Sequence, residues 1–245
     1  MPAACAINLQ GMKTVFRIFL LVVFSAANGV TSKAQDDATA LLQKVKAKLA
    51  GVSDYKAEGV MKTDVSFMRV PESKVTIFYK QPDKFKIKKE NGISIVPKGG
   101  VNINLGSLFA GDNYTAVPAG KSTVGSTAVT LVKLLPLDEK SDVVVSTLYV
   151  DEKESLIRRA IITTRENGTY EMEMDYGKFA ARGLPDKVVF TFATKDYKLP
   201  KGLAFDYDTG EKPAKTSTTN NGKGKIEIAY SNYIINKGVN DSVFQ

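Results

Sequence analysis

Apolar positions change period once near the start of the chain. Between Ala38 and Ala50, Leu41, Leu42, Val45 and Leu49 recur at helical spacing behind Asp36 and Asp37, and Gly51 follows as a stop. That pattern predicts one amphipathic helix. From Tyr55 the period is two. Tyr55, Ala57, Gly59, Met61, Thr63, Val65 and Phe67 share one face, and Lys56, Glu58, Lys62 and Asp64 share the other. Val75, Ile77 and Tyr79 continue the alternation through Ser73 to Lys80. Gln81-Pro82-Asp83 then turns the chain, Phe85 and Ile87 resume the pattern, and Asn91-Gly92 predicts a hairpin into Ile93 to Val96.

The middle is less regular. Tyr114 to Val117 reads as a short strand, and Thr127 to Leu135, with Val129, Leu131, Val132, Leu134 and Leu135, as a short apolar helix ended by Pro136. Strands are then predicted at Val143 to Val150, Leu156 to Thr164, Tyr170 to Tyr176, Val188 to Ala193 and Ile226 to Tyr233. The turns between them include Asp151 to Glu154, Asn167-Gly168 and Leu184-Pro185-Asp186. Residues 198 to 224, rich in Gly, Lys, Thr and Asn, read as a long loop.

So many antiparallel strands cannot lie flat, and a strongly twisted sheet of this size curls. The predicted class is α+β, an unclosed antiparallel β-barrel, or half-barrel, with helices covering the concave side. Candidate lining positions are Met61, Val65, Ile77, Tyr79, Phe85, Ile87, Leu148, Met172, Met174, Phe190 and Phe192, with Leu131 and Leu135 from the expected apolar helix. Methionine makes an adaptable lining, and the same stripe also suits a plain core.

Residues 1–34 read as an export signal. Lys13 and Arg17 precede an apolar run from Ile18 to Ala27, and Ser32-Lys33-Ala34 offers a small-x-small cleavage site before Gln35. Met12 is an alternative start. The run is too short to span a bilayer, which takes about 20 residues. The expected domain is then 35–245. Removing 1–34 takes Cys5 and three basic residues but no acid, which leaves 31 Lys plus Arg against 26 Asp plus Glu, a net +5 instead of +8. No disulfide can form within that domain. Lys84, Lys86, Lys88 and Lys89 make its tightest basic cluster. Their alternation with Phe85 and Ile87 suits the solvated face of a strand, with attraction to an anionic membrane surface as the functional reading. The scattered charge does not suit a nucleic-acid binder.

Composition removes much chemistry. The chain has 43% hydrophobic and 24% charged residues, no His, no Trp and one Cys, so imidazole catalysis and zinc sites built on His or clustered Cys are excluded. Gly120-Lys121-Ser122 lacks the earlier glycine of a phosphate-binding loop, where Thr115 stands. Ser53 and Lys56 have the spacing of a serine–lysine dyad but fall at a helix-to-strand turn. Asp206, Asp208 and Glu211 are wrongly spaced for a calcium loop, and the sequons at Asn113 and Asn167 are too short to weigh. Asp151, Glu152 and Glu154, and Glu171, Glu173 and Asp175, remain as acid–base candidates, the second set on one solvent-facing strand side. No catalytic residue, cofactor or metal is expected.

The order of elements resembles LolA, the outer-membrane lipoprotein carrier family. The resemblance rests on Ala40-Leu41-Leu42-Gln43-Lys44-Val45, Tyr79-Lys80-Gln81-Pro82-Asp83-Lys84-Phe85, Leu148-Tyr149-Val150-Asp151, Gly183-Leu184-Pro185-Asp186-Lys187-Val188, and Tyr233 followed by Asn240-Asp241-Ser242-Val243-Phe244. It covers most of 36–245. The resemblance implies a helix-lidded half-barrel in the periplasm, whose apolar cavity shields the acyl chains of lipoproteins or another lipid. It also implies membrane transfer partners on the inner and outer sides, and a monomer. Where the family carries an arginine before the strand-ending proline, this chain has Gln81. The family's tryptophans are absent and the 198–224 loop is longer. A carrier predicts a large empty apolar pocket. The alternative, a non-catalytic periplasmic sensor or interaction domain on the same fold, predicts a pocket collapsed around Leu131, Leu134 and Leu135 and an exposed edge strand.

Overall fold

The alternation read from Tyr55 onward becomes a single sheet in the computed structural model, which describes residues 28–65, 68–90, 109, 113–166, 168–193 and 222–244, with backbone alone for 28–34 and 68–70. Helix α1 (Asn28–Ala50) precedes β1 (Asp54–Val65), β2 (Met68–Lys80) and β3 (Lys84–Lys89). Then come β4 (Tyr114–Val124), β5 (Thr127–Pro136), β6 (Val143–Asp151), β7 (Leu156–Thr164), β8 (Gly168–Asp175), β9 (Lys187–Ala193) and β10 (Lys223–Ile235). Short 3-10 turns occupy Ala180–Arg182 and Asp241–Phe244. Residues 1–27 of the expected signal, Phe67, Asn91-Gly92 with Ile93 to Val96, Asn167 and positions 198–221 of the expected loop lie outside the described residues. The α1 backbone runs through Ser32-Lys33-Ala34, so cleavage before Gln35 would leave Gln35 to Ala50 of it.

All pairings are antiparallel, in the order β3-β2-β1-β10-β9-β8-β7-β6-β5-β4. Every neighbour is sequential except β1 and β10, where the first hairpin meets the end of the chain. The sheet does not close: β3 and β4 are its two edges. Among the described residues, one α-helix, α1, covers the sheet, burying Ala38, Leu41, Leu42 and Val45 in the same cluster as the sheet's inner side chains. These are the positions that helical spacing aligns on one face.

The expected helix at Thr127 to Leu135 is instead strand β5. Val132 and Leu134 point into the core, while Lys133 and Leu135 point out. A run this apolar satisfies either period. The β-branched Thr127, Val129, Thr130 and Val132, and the hairpin turn at Gly125 with φ of +57°, decide for a strand. Its partner β4 extends to Val124, beyond the expected Tyr114 to Val117, and carries Gly120 and Lys121 at a bulge, so no phosphate loop forms there.

Candidate functional site

Cross-strand register assembles the inner face in rows, because directly paired residues in an antiparallel sheet share a side. One row runs Val132, Leu148, Ala160, Met172, Phe190, Ile226. A second runs Met174, Val188, Ile228, Met61, Ser73, and a third Tyr233, Ala57, Ile77, Ile87. Of the lining positions read from sequence, Met61, Val65, Ile77, Tyr79, Phe85, Ile87, Leu148, Met172, Met174, Phe190 and Phe192 all fall on inner-face parity. Leu131 and Leu135 do not. Leu131 pairs with Tyr149 on the outer face, and Leu135 is 42% exposed, because β5 is a strand and alternate residues face opposite ways. Sequence reasoning missed Tyr170, Tyr230 and Lys89 on the inner face, although the same parity count identifies them.

The face is aromatic as well as aliphatic, and its tyrosines are buried or partly buried. Tyr55 packs against Tyr79 and Tyr233, and Tyr233 also meets Phe179 and Tyr230. A second cluster joins Tyr170, Phe190 and Phe192. Burial pushes the Tyr170 hydroxyl up to about 12 and holds those of Tyr55, Tyr176, Tyr230 and Tyr233 well above the ordinary tyrosine range. The Tyr233 hydroxyl donates to Pro185 O at 2.8 Å and that of Tyr176 to Ile157 O at 2.9 Å, so both are satisfied.

Between α1 and this face the described side chains interlock. A shallow cleft lies among Val45, Lys48, Leu49, Leu156, Ile157 and Tyr176, with a cavity volume of about 10 Å³. Ligand pockets commonly occupy about 300–1,000 Å³. Leu134 is fully buried on the inner face. The collapse expected of the alternative reading therefore involves Leu134 but neither Leu131 nor Leu135.

Gln81 joins the β2–β3 turn to the end of the cover. Its side-chain amide donates to Val52 O at 3.0 Å and Ala50 O at 3.4 Å. Asn236, with φ of +54°, accepts from Ser53 N at 2.9 Å and donates to Gly51 O at 2.9 Å. The Ser53 hydroxyl lies against Asn236 and Asp54, and Lys56 pairs with Glu58, so no serine–lysine dyad is assembled. At the other end, Gln35 donates to Ala116 O on edge strand β4.

Four of the six candidate carboxylates meet cations, and Glu152 accepts from the Thr130 hydroxyl. Glu171 and Glu173 face outward and meet Arg159 at 2.6 and 3.9 Å, and Asp175 meets Lys187 at 2.8 Å. Asp151 is buried and accepts from Arg158 Nη2 at 2.9 Å and from the backbone N–H of Lys153 and Glu154. Burial pushes its carboxyl up, but the Arg158 hydrogen bond and those backbone donors outweigh it and hold the group below the ordinary range. That is the opposite of a general acid's requirement. A depressed folded value stabilises above the unfolded value, near 4, and the contribution is lost as pH falls through the folded value. Asp151→Asn is expected to cost about 2 kcal/mol at neutral pH, with the difference from wild type shrinking below about pH 4 in denaturation curves.

Ser146, fully buried between Leu134 and Ile162, has a hydroxyl without a hydrogen-bond partner among the described residues. Ser146→Ala removes an unpaid desolvation and is expected to raise stability by about 1 kcal/mol. A fall in the denaturation midpoint would show that the hydroxyl holds a partner.

No family model matches the sequence, and no curated protein matches it. Solved structures do match. An outer-membrane lipoprotein-sorting protein domain from Vibrio parahaemolyticus aligns at TM-score 0.54 with 10% identity, covering 86% of this chain and 97% of that one. A LolA superfamily protein from Nitrosomonas europaea aligns at 0.53 with 8% identity, covering 85% and 97%. A DUF1329 family protein from Desulfovibrio piger aligns at 0.51 with 13% identity, covering 88% and 97%. At such identities the likeness speaks for the backbone alone, and in its backbone this chain has a LolA-like fold, an unclosed half-barrel with ten antiparallel strands among the described residues.

Proposed function

We propose that the chain is a non-catalytic periplasmic carrier, exported by a cleaved signal at 1–34, that shelters the acyl chains of a lipoprotein or another lipid against the inner face of its half-barrel. The observation that carries this reading is the broad, mostly apolar inner face that, among the described residues, one helix covers. A sheet of this size needs a core, but a core alone does not need open edges at β3 and β4. Since α1 packs against that face, the acyl chain takes the place of the helix side chains instead of filling a standing cavity. Magnitudes allow it. Undocking Leu41, Leu42 and Val45 costs about 5–9 kcal/mol at ~1.5–3 kcal/mol each, and an acyl chain of about 14 methylenes offsets about 11 kcal/mol at ~0.8 each. Delivery to the outer membrane, with donor and acceptor partners, belongs to the same proposal.

The filled interior among the described residues favours one other reading, a periplasmic sensor or interaction domain on this fold whose core stays shut. Mass spectrometry of lipids extracted from the purified exported protein separates the two. A bound acyl lipid, or uptake of a fluorescent fatty probe, supports the carrier. Absence of both supports the interaction domain.

A further inference from the structure

The lysine cluster at 84–89 is split by the pleat. Lys84, Lys86 and Lys88 lie on outer-face parity, where Lys84 meets Asp241 at 2.9 Å and Lys88 lies over the Phe78 ring. Lys89 lies on the inner side, in the row Lys89, Val75, Gly59, Tyr230. The described inner positions of β1, β2, β10, β9 and β8 carry no charge, so Lys89 places one cation at the lip of that uncharged half of the face. The next row begins beside it with Ser73 and continues through Met61, Ile228, Val188 and Met174. Thr63 adds a second hydroxyl at the same end. Polar groups thus collect at one lip, and an apolar track leads away from them. From β3 to β8 that track crosses six strands, about 24 Å at ~4.8 Å per strand, the length of a long extended acyl chain. At the opposite lip, Lys121 also has inner-face parity, but it is exposed and lies opposite Thr130, whose hydroxyl is held by Glu152.

On the reading of the inner face as an acyl-binding surface, we propose that the preferred ligand is an anionic amphiphile whose carboxylate or phosphate head is held by Lys89 at the β3 lip, with its tail along the Met61–Met174 row. Partial burial pulls the Lys89 ammonium below the ordinary lysine range, and no acid among the described residues offsets that effect. A cation so placed is poorly solvated, and an incoming anion restores the lost solvation as a charge-assisted hydrogen bond. An acyl chain with a neutral head gains nothing there. The inner lip therefore selects by head charge, while the apolar track accepts any tail of suitable length.

The test compares cis-parinaric acid with its methyl ester, two fluorescent probes with one tail and different heads, on the exported protein. Wild type is expected to bind the acid at least tenfold more tightly than the ester, and Lys89→Gln to lose about tenfold for the acid with ester affinity unchanged. Lys89→Arg should keep the preference. Lys88→Gln, one residue away on the other face, should leave both affinities as they are, and all variants should keep the wild-type denaturation midpoint. Inorganic phosphate at millimolar concentration should not displace the acid, since the head binds with its tail. Displacement by phosphate would mean a plain anion site and would overturn the proposal. Equal acid binding by wild type and Lys89→Gln overturns it while leaving the carrier reading intact. Failure of wild type to bind either probe ends both.

Discussion

Leu42→Ala is expected to lower folding stability by about 2–5 kcal/mol and at the same time to speed uptake of a fluorescent fatty probe. Leu42 is 1% exposed, at the centre of the α1 stripe formed with Leu41 and Val45. Truncating a buried leucine loses its transfer free energy and leaves a cavity. Where that loss appears is the informative part. The sheet's hydrogen-bond ladder is complete without α1, so the variant weakens docking of the cover more than pairing of the strands. Undocking is a local opening with its own free energy, and a ligand that competes with the helix gains whatever the helix loses. Chemical denaturation followed by circular dichroism gives the stability, and stopped-flow fluorescence gives the uptake rate. A less stable protein with unchanged or slower uptake would mean that the inner face is not reached by moving α1.

Gly59→Ala is expected to cost about 3 kcal/mol, the upper end for overpacking. A Cβ at Gly59 would stand 2.4 Å from the carbonyl oxygen of Ala229 and 3.3 Å from the Cα of Tyr230. The neighbours are backbone, so no side chain can turn aside. The clash falls at the β1–β10 seam, where the register shifts between Glu58 and Gly59. That seam is the one non-sequential pairing in the sheet, and without it the first hairpin detaches from the rest. Gly51→Ala is the control: its nearest neighbour is Lys48 O at 3.4 Å, an ordinary contact, and the change should stay within about 0.5 kcal/mol. Equal midpoints for the two variants would mean that the seam is loose enough to move.

Most strands were legible because alternation is a local property. Tyr55 to Val65 and Ala160 to Thr164 bury the residues that a period of two assigns to one side. Thr127 to Leu135 was not legible, since five large apolar residues in nine suit a helix and a strand equally. Its β-branched content was the usable signal, and it was outweighed by the density of leucine. From that error followed the two misplaced lining residues, Leu131 and Leu135. Lys89 was visible only as one member of a basic cluster. Its separation from Lys84, Lys86 and Lys88 needs the pleat of β3 and the face on which α1 lies.

The amino-acid order alone settled the apolar stripe and the end of the helix at Ala50, though not its start at Asn28, most of the antiparallel strands and which of their residues share a side, because these depend on spacing over a few neighbours. Tertiary structure decided the meeting of β1 with β10, the edges at β3 and β4, and the filling of the concave side by Leu41, Leu42 and Val45. Those features join residues far apart in the chain, and contact between distant segments is governed by which surfaces exclude water together, a quantity no local pattern contains.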